Sequence, residues 1–329
     1  MSASDNDKAH MQYSSDEPET TGILDVGEGQ SIYWEMFGPI RGDTAVFLHG
    51  GPGSGCGSAP RRYFDRTGIQ AVLFDQRGCG RSRPLATGPE VDLSVNTTDH
   101  MVRDLERLRT HLGIERWIVV GVSWGVTLAL VYAMRNPERV AAMVLGAVTT
   151  GTPREIQWIT HDMGRLFPKE WEEFVSVVPN AERGPELCAA YAGLLADPDA
   201  AVRDRASIAW CRWEDTHVSL MPGWEPSERY KDPVFRSVFA RLVTHYWSHG
   251  CFLADGEIMS GLPRIAHIPA VLIHGRWDIS GPIDTAWKLH QLWPASELQV
   301  LEGAGHGGPG FSEAMTEAIN RFRQGLLRR

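Results

Sequence analysis

Ser123, Asp278 and His306 are the residues whose types and surroundings could do chemistry together. A serine hydroxyl is a weak nucleophile near neutral pH, so it needs a base, and the base needs an acid to orient it. Ser123 sits in Gly121-Val-Ser-Trp-Gly125, a G-x-S-x-G pentapeptide. Residues 117–120 before it are apolar and β-branched and read as a buried strand. Residues 126–134 after it read as a packed helix that ends before Asn136-Pro137. A strand, this turn and a helix together make the context of a nucleophile elbow, where only glycine fits two places to either side of the serine. The turn lifts the hydroxyl above the sheet edge and aims the helix N-terminus at the reacting centre.

In doubly wound sheets, functional groups gather at the C-terminal ends of strands. Asp278 and His306 each follow an apolar run, 268–274 and 297–301, and the chain order Ser, Asp, His is that of α/β hydrolases. Gly303 and Gly305 leave the loop free to bring the His306 ring down onto Ser123. Other histidines compete less well. His49 lies in a glycine-rich loop, His274 closes its own strand, and His290 lies within a helix. For the acid, Asp255 and Asp284 are the alternatives, and Asp278 could itself be a turn-capping residue. Two backbone N–H groups should form an oxyanion hole, one from Trp124 and one from Gly51 in the His49-Gly-Gly-Pro52 loop. That loop is neither a P-loop nor a dinucleotide fingerprint, and Gly78-Cys-Gly80 is followed by Arg-Ser-Arg instead of a further glycine. No metal-ligand cluster is visible and the mechanism calls for no cofactor.

The elements around these residues predict an α/β fold. Residues 23–26 and 31–37 alternate as an antiparallel pair around Gly27-Glu-Gly29. Runs at 45–49, 71–75, 117–120, 141–145, 268–274 and 297–301 read as buried strands. An amphipathic helix opens at Thr97 or Thr98 and stops at Gly113; others follow at 284–292 and from Ser312 onward. A mostly parallel sheet flanked by helices on both faces is expected. The rhythm breaks between 151 and 263, where helical segments (185–195 and 198–213), a loop at 221–226 and six of the twelve tryptophans lie. The expected organisation is a disordered tail over 1–20, a core over 21–150 and 264–329, and a helical cap over 151–263.

At 329 residues with a net charge of -9, the chain disfavours nucleic acid and anionic membranes as partners. The polar, acidic N-terminus has no signal-peptide core, the longest apolar run is too short to span a bilayer, and the five scattered cysteines read as free thiols. A cytoplasmic enzyme with a small-molecule or short-peptide substrate is the expectation, with oligomeric state left open.

His49-Gly-Gly-Pro-Gly53, the stretch from Phe74 through Asp-Gln-Arg-Gly-Cys-Gly to Pro84, Gly121-Val-Ser-Trp-Gly125, His274-Gly-Arg-Trp-Asp278 and Gly303-Ala-Gly-His306 together resemble the prolyl iminopeptidase family, from about residue 20 to the C-terminus. The resemblance implies that Ser123, Asp278 and His306 are the triad and that an N-terminal proline, or another small residue, is released from a peptide or amide. It also implies acidic residues in the cap that hold the substrate amine, since a buried cation requires a carboxylate. Trp213-Glu214 matches one such segment; at the second position, Val243 stands where the family has glutamate. Gly50, Trp213, Glu214 and Val243 are therefore the expected substrate contacts. Gly146 replaces a family arginine and Gly281 a family cysteine. These exchanges favour the alternative of an ester, lactone or thioester hydrolase or an acyltransferase with a less polar, roomier pocket. A ligand receptor on a hydrolase scaffold is the third reading.

Overall fold

Short apolar runs bounded by turn residues become the strands of one eight-stranded sheet. A computed structural model describes residues 17–38, 43–64, 68–184, 186–218, 220 and 224–326. Its strands are β1 (Thr20–Gly27), β2 (Gln30–Phe37), β3 (Thr44–Leu48), β4 (Gln70–Phe74), β5 (Trp117–Val122), β6 (Val140–Gly146), β7 (Ala270–Gly275) and β8 (Ser296–Leu301). Their order across the sheet is β1-β2-β4-β3-β5-β6-β7-β8. β2 is antiparallel to both β1 and β4, and every later pairing is parallel. The β1–β2 turn puts Gly27, Glu28 and Gly29 at φ of 78°, 57° and 70°, a left-handed run that glycine takes without a Cβ clash.

The helices are α1 (Thr98–His111), α2 (Trp124–Arg135), α3 (Pro153–Thr160), α4 (Pro168–Ser176), α5 (Leu187–Leu195), α6 (Ala200–His217), α7 (Pro233–Ser248), α8 (Glu257–Gly261), α9 (Asp284–Leu292) and α10 (Phe311–Leu326). The two faces of the sheet follow from the period of two along each strand. Val46, Leu48, Val72, Phe74, Val119, Met143 and Leu145 pack with α1, α2 and α9. Ala45, Phe47, Leu73, Val120, Val144 and Ile273 point the other way, onto Phe311, Met315 and Ile319 of α10. Both faces are thus covered, as parallel strands require. Among the described residues, no helix is long and apolar enough to cross a membrane.

Helices α3 to α8 lie between β6 and β7, with no strand among the described residues there. Their core is aromatic. Phe174 stacks between Tyr191 and Trp213, with ring centroids at 4.7 and 5.3 Å, and Trp210 packs edge-on against Phe174 and Tyr191. One difference from the sequence reading matters for the site. The helix expected over 198–213 runs on to His217, because Asp199 caps its start and Glu214-Asp-Thr-His217 contains neither glycine nor proline. Glu214 and His217 therefore share one helical face, at i and i+3. The helix expected over 185–195 begins at Leu187, and Pro185 lies outside the described residues, as do residues 1–16 of the expected tail and 221–223 of the expected loop.

Candidate active site

The elbow is built by close approach. Ser123 takes φ 57° and ψ -126°, a strained conformation for a residue with a side chain. Its N–H donates to the Gly146 carbonyl at 3.0 Å, tying the turn to β6. A Cβ at Gly121 would stand 2.5 Å from the Gly125 carbonyl oxygen, and one at Gly125 would collide with the carbonyl of Leu48 at the end of β3. Both flanking glycines are thus required by space. Ser123 also caps the N-terminus of α2, whose first N–H groups have no acceptor within the helix. Gly50 faces it: a Cβ there would lie 3.2 Å from Ser123 Cβ and 3.7 Å from its Oγ. Gly51 follows at φ 110°, in a turn too tight for a Cβ, which would meet the Gly53 nitrogen at 2.6 Å.

Asp278 and His306 come together as the strand-end rule predicts. His306 Nδ1 lies 2.9 Å from Asp278 Oδ2, which leaves the opposite ring nitrogen for another partner. The Asp278 carboxylate is fully buried and also accepts the Gly281 N–H at 3.0 Å. Burial by itself would raise the Asp278 carboxyl. The charge and hydrogen bond of His306, with His274 and the Gly281 N–H, outweigh it and hold the group below the usual carboxylate range. For His306 burial lowers the pKa, but the charge and hydrogen bond of Asp278, with the charge of Glu214, carry it above the ordinary histidine value of 6.5. The competing residues are committed elsewhere. His274 accepts the Val148 N–H and sits 2.6 Å from the Gly281 carbonyl; His290 bonds Ser296; Asp284 pairs with Arg154 and Lys288.

Beneath the turn lies a polar knot whose function the sequence did not disclose. His49 is buried, with Nδ1 2.9 Å from the Gly50 carbonyl oxygen, and Nε2 accepts the backbone N–H of Gln76 at 3.1 Å. The Gln76 side chain then donates to the His49 carbonyl at 3.0 Å and accepts from Trp124 Nε1 at 3.0 Å. One glutamine therefore links the Gly50-Gly51 loop to the residue that follows Ser123. Its neighbours anchor the same stretch. Asp75 accepts from the Cys56 N–H and from Arg81, and Arg77 forms a two-pronged pair with Asp104 of α1. Gln76 stands just past the end of β4, so the strand-end rule that selected Asp278 could have selected it too.

A cavity of about 580 Å³ opens at Ser123 and His306 and is walled by the Gly50-Gly51 loop, Glu214, Asp215, Trp224, Arg229, Tyr230 and Phe239. Glu214 reaches it from α6, its side chain 20% exposed. Its Oε2 is 3.2 Å from His217 Nε2, and His217 Nδ1 is 2.8 Å from Ser280 Oγ. Burial alone would raise the Glu214 carboxyl, but His217, Arg229 and His306 bring it below the usual range, so it is ionised at neutral pH. His217, Ser280 and Arg229 carried no signal in the sequence.

The other expected contacts are placed differently. Trp213 is buried in the aromatic core, its Nε1 donating to the Ile159 carbonyl at 3.0 Å, and it lines a separate groove. Val243 is 1% exposed within the same core and lines no cavity that contains Ser123. Gly146 does not open the pocket either: a Cβ there would stand 2.6 Å from the Phe311 ring, which already fills the space. Only Gly281, beside Ser123 and His306 in a second, small cavity, remains of the three exchanges that favoured a roomier site. Among the described residues, no cluster of side chains could hold a metal ion.

Residues 45–309 match the family model for the α/β hydrolase fold. A probable proline iminopeptidase of Streptomyces coelicolor is 46% identical over 314 residues, which cover 94% of this chain and 97% of that protein. A proline iminopeptidase of Xylella fastidiosa is 40% identical, covering 93% and 98% of the two chains. Among solved structures, the proline iminopeptidase of Mycobacterium smegmatis superposes with a TM-score of 0.64 over 93% of this chain and 100% of that one, and at 20% identity that likeness speaks to the fold. A sheet with this strand order, a glycine-bounded serine turn after β5 and near full-length identity to curated relatives agree: the chain belongs to the proline iminopeptidase family of α/β hydrolases.

Proposed function

We propose that this protein is a serine hydrolase that releases an N-terminal proline, or another small residue, from peptides and amides. One observation carries the reading: the Ser123 turn and the His306–Asp278 pair open into the same cavity as the ionised Glu214. In the proposed mechanism, the substrate ammonium rests against Glu214 and places the first carbonyl carbon at Ser123. Ser123 Oγ attacks that carbon while its proton passes to the free nitrogen of His306. The N–H groups of Gly51 and Trp124 receive the oxyanion, aided by the N-terminus of α2. Collapse breaks the C–N bond, and His306 hands its proton to the departing amine. Water then attacks the ester on Ser123 and gives a proton to His306. The bond between the acyl carbon and Ser123 Oγ breaks, His306 returns the proton to Oγ, and the amino acid leaves with its new carboxylate. Asp278 stays ionised throughout and fixes the ring.

Helices α3 to α8 serve in this reading as the cap over residues 151–263, supplying the amine site and keeping bulk water from the acyl-enzyme. A cytoplasmic setting fits the five buried, unpaired cysteines. The test is a substrate panel of prolyl p-nitroanilide, N-acetylprolyl p-nitroanilide and a simple acyl ester, measured on the wild type, Ser123→Ala and Glu214→Gln. Ser123→Ala should lose at least about 10⁴-fold in kcat, because the triad acts as a unit. Glu214→Gln should lower kcat/KM for the free-amine substrate by roughly tenfold or more and spare the ester, the cost of one charge-assisted hydrogen bond. Equal loss on ester and free amine would return the protein to the esterase reading.

A further inference from the structure

The cavity that holds Ser123 and Glu214 also holds a cation. Arg229 lines the same 580 Å³ space as Ser123 and His306. Its guanidinium carbon lies 4.7 Å from the centre of the Tyr230 ring and 5.3 Å from those of Phe235 and Phe239, within cation–π range of all three. Its hydrogen bonds go to hydroxyls: Nη2 donates to Tyr230 Oη at 2.7 Å and Nη1 to Ser54 Oγ at 3.5 Å. Among the described residues it forms no ion pair, although Arg77, Arg81, Arg109 and Arg236 all do. Besides Glu214 the acidic residue in the lining is Asp215, whose Oδ1 already accepts the Ser227 N–H at 3.1 Å. Ser54 belongs to the loop that presents Gly51, so the guanidinium is tethered to the edge of the reacting centre. Its charge reaches both Glu214 and His306, favouring the carboxylate of the first and opposing the protonation of the second.

We infer that Arg229 is a recognition site for the free C-terminal carboxylate of a short peptide, so the preferred substrates are di- and tripeptides. This rests on the proposed function and adds the far end of the substrate to it. Glu214 would hold the ammonium at one end, Ser123 would cut the first peptide bond, and Arg229 would read the carboxylate that stays with the leaving fragment. Each extended residue spans ~3.3–3.6 Å, and the inference places the carboxylate one or two residues beyond the scissile bond. A guanidinium flanked by aromatic rings, with donors to spare, suits a carboxylate, which it can engage with two parallel hydrogen bonds.

The deciding experiment compares kcat/KM for Pro-Ala and Pro-Ala-Ala with their C-terminal amides, on the wild type, Arg229→Gln and Arg229→Lys. The wild type should favour the free carboxylate by about tenfold or more at one of the two lengths. Arg229→Gln should bring that ratio close to one, and Arg229→Lys should keep part of it, since a lysine retains the charge and loses the fork. A wild-type ratio near one at both lengths overturns the inference, whatever the variants do. So does a ratio that survives in Arg229→Gln. Turnover of prolyl p-nitroanilide with no preference for carboxylates would leave the proposed function standing and remove this inference alone. Inertness of every prolyl substrate would remove both.

Discussion

The strand ends and the helical insertion meet at one cavity but hold their functional groups by different means. At the strand ends, position is set by backbone approach and hydrogen bonds: Gly125 against Leu48, Ser123 against Gly146, Gln76 between His49 and Trp124. In the insertion, the helices are placed by apolar packing, with Phe174, Tyr191, Trp210 and Trp213 forming the plug beside Glu214, and one chain of hydrogen bonds through His217 to Ser280 steadies the carboxylate. Directional bonds fix an atom to a few tenths of an ångström, which covalent chemistry on a carbonyl demands. Packing fixes a helix face, and a charge on that face can recognise an end of the substrate without contacting the bond that breaks. On the proposed function the two regions divide catalysis from selection, and substitutions should divide the same way.

Outside the triad, the largest effect should come from the polar knot. Gln76→Ala removes both the donor to the His49 carbonyl and the acceptor for Trp124 Nε1, so the two proposed oxyanion donors lose their common brace. A fall in kcat of about 100-fold is expected, the scale of a misplacement near 1 Å, while KM for prolyl p-nitroanilide stays within a few-fold. Gln76→Glu keeps an acceptor for the indole and should recover part of kcat. A loss spread equally over kcat and KM would mean that Gln76 merely supports the fold.

In the insertion, Val243→Glu should act on stability. The side chain is surrounded by Phe239, Ala240 and the aromatic cluster, so a glutamate there buries a carboxylate without a partner. Folding should weaken by roughly 3 kcal/mol in urea unfolding, and discrimination between free and N-acetylated proline should not improve. Improved discrimination with unchanged stability would show that position 243 reaches the substrate.

The same division explains what could be read in advance. Ser123, Asp278 and His306 were legible because each follows a buried strand, and strand ends announce themselves through apolar runs closed by glycine. The parallel sheet was legible for the same reason. Glu214 was found only through a resemblance, and Val243 and Trp213 were misplaced by it, because a helix of period 3.6 turns neighbouring residues to different faces. Trp213 and Glu214 are adjacent in sequence, yet one plugs the core and the other faces the cavity. Arg229 was not legible at all, since an arginine's partners are made by the fold and nothing local marks which arginine will line the cavity.

The smallest effect tests whether the two regions are electrically coupled. His306 belongs to the core, and its pKa is lowered by burial but raised past 6.5 by Asp278, with the charge of Glu214 adding and that of Arg229 subtracting. A base must be neutral to accept the serine proton, so kcat/KM should rise with pH through this ionisation, at a pH above 6.5 in the wild type. Glu214→Gln takes away a negative charge that favours the imidazolium, so the rise should move to lower pH. Arg229→Gln takes away a positive charge that disfavours it, so the rise should move to higher pH. An N-acylated proline ester is the right substrate for both profiles, since its own charge does not titrate and it makes no use of the amine site. Opposite displacements in the two variants would establish that selection residues on the helices also tune the base at the strand ends. Coincident profiles for all three proteins would mean that solvent in the cavity screens the insertion from the triad, and the division between the regions would then be complete.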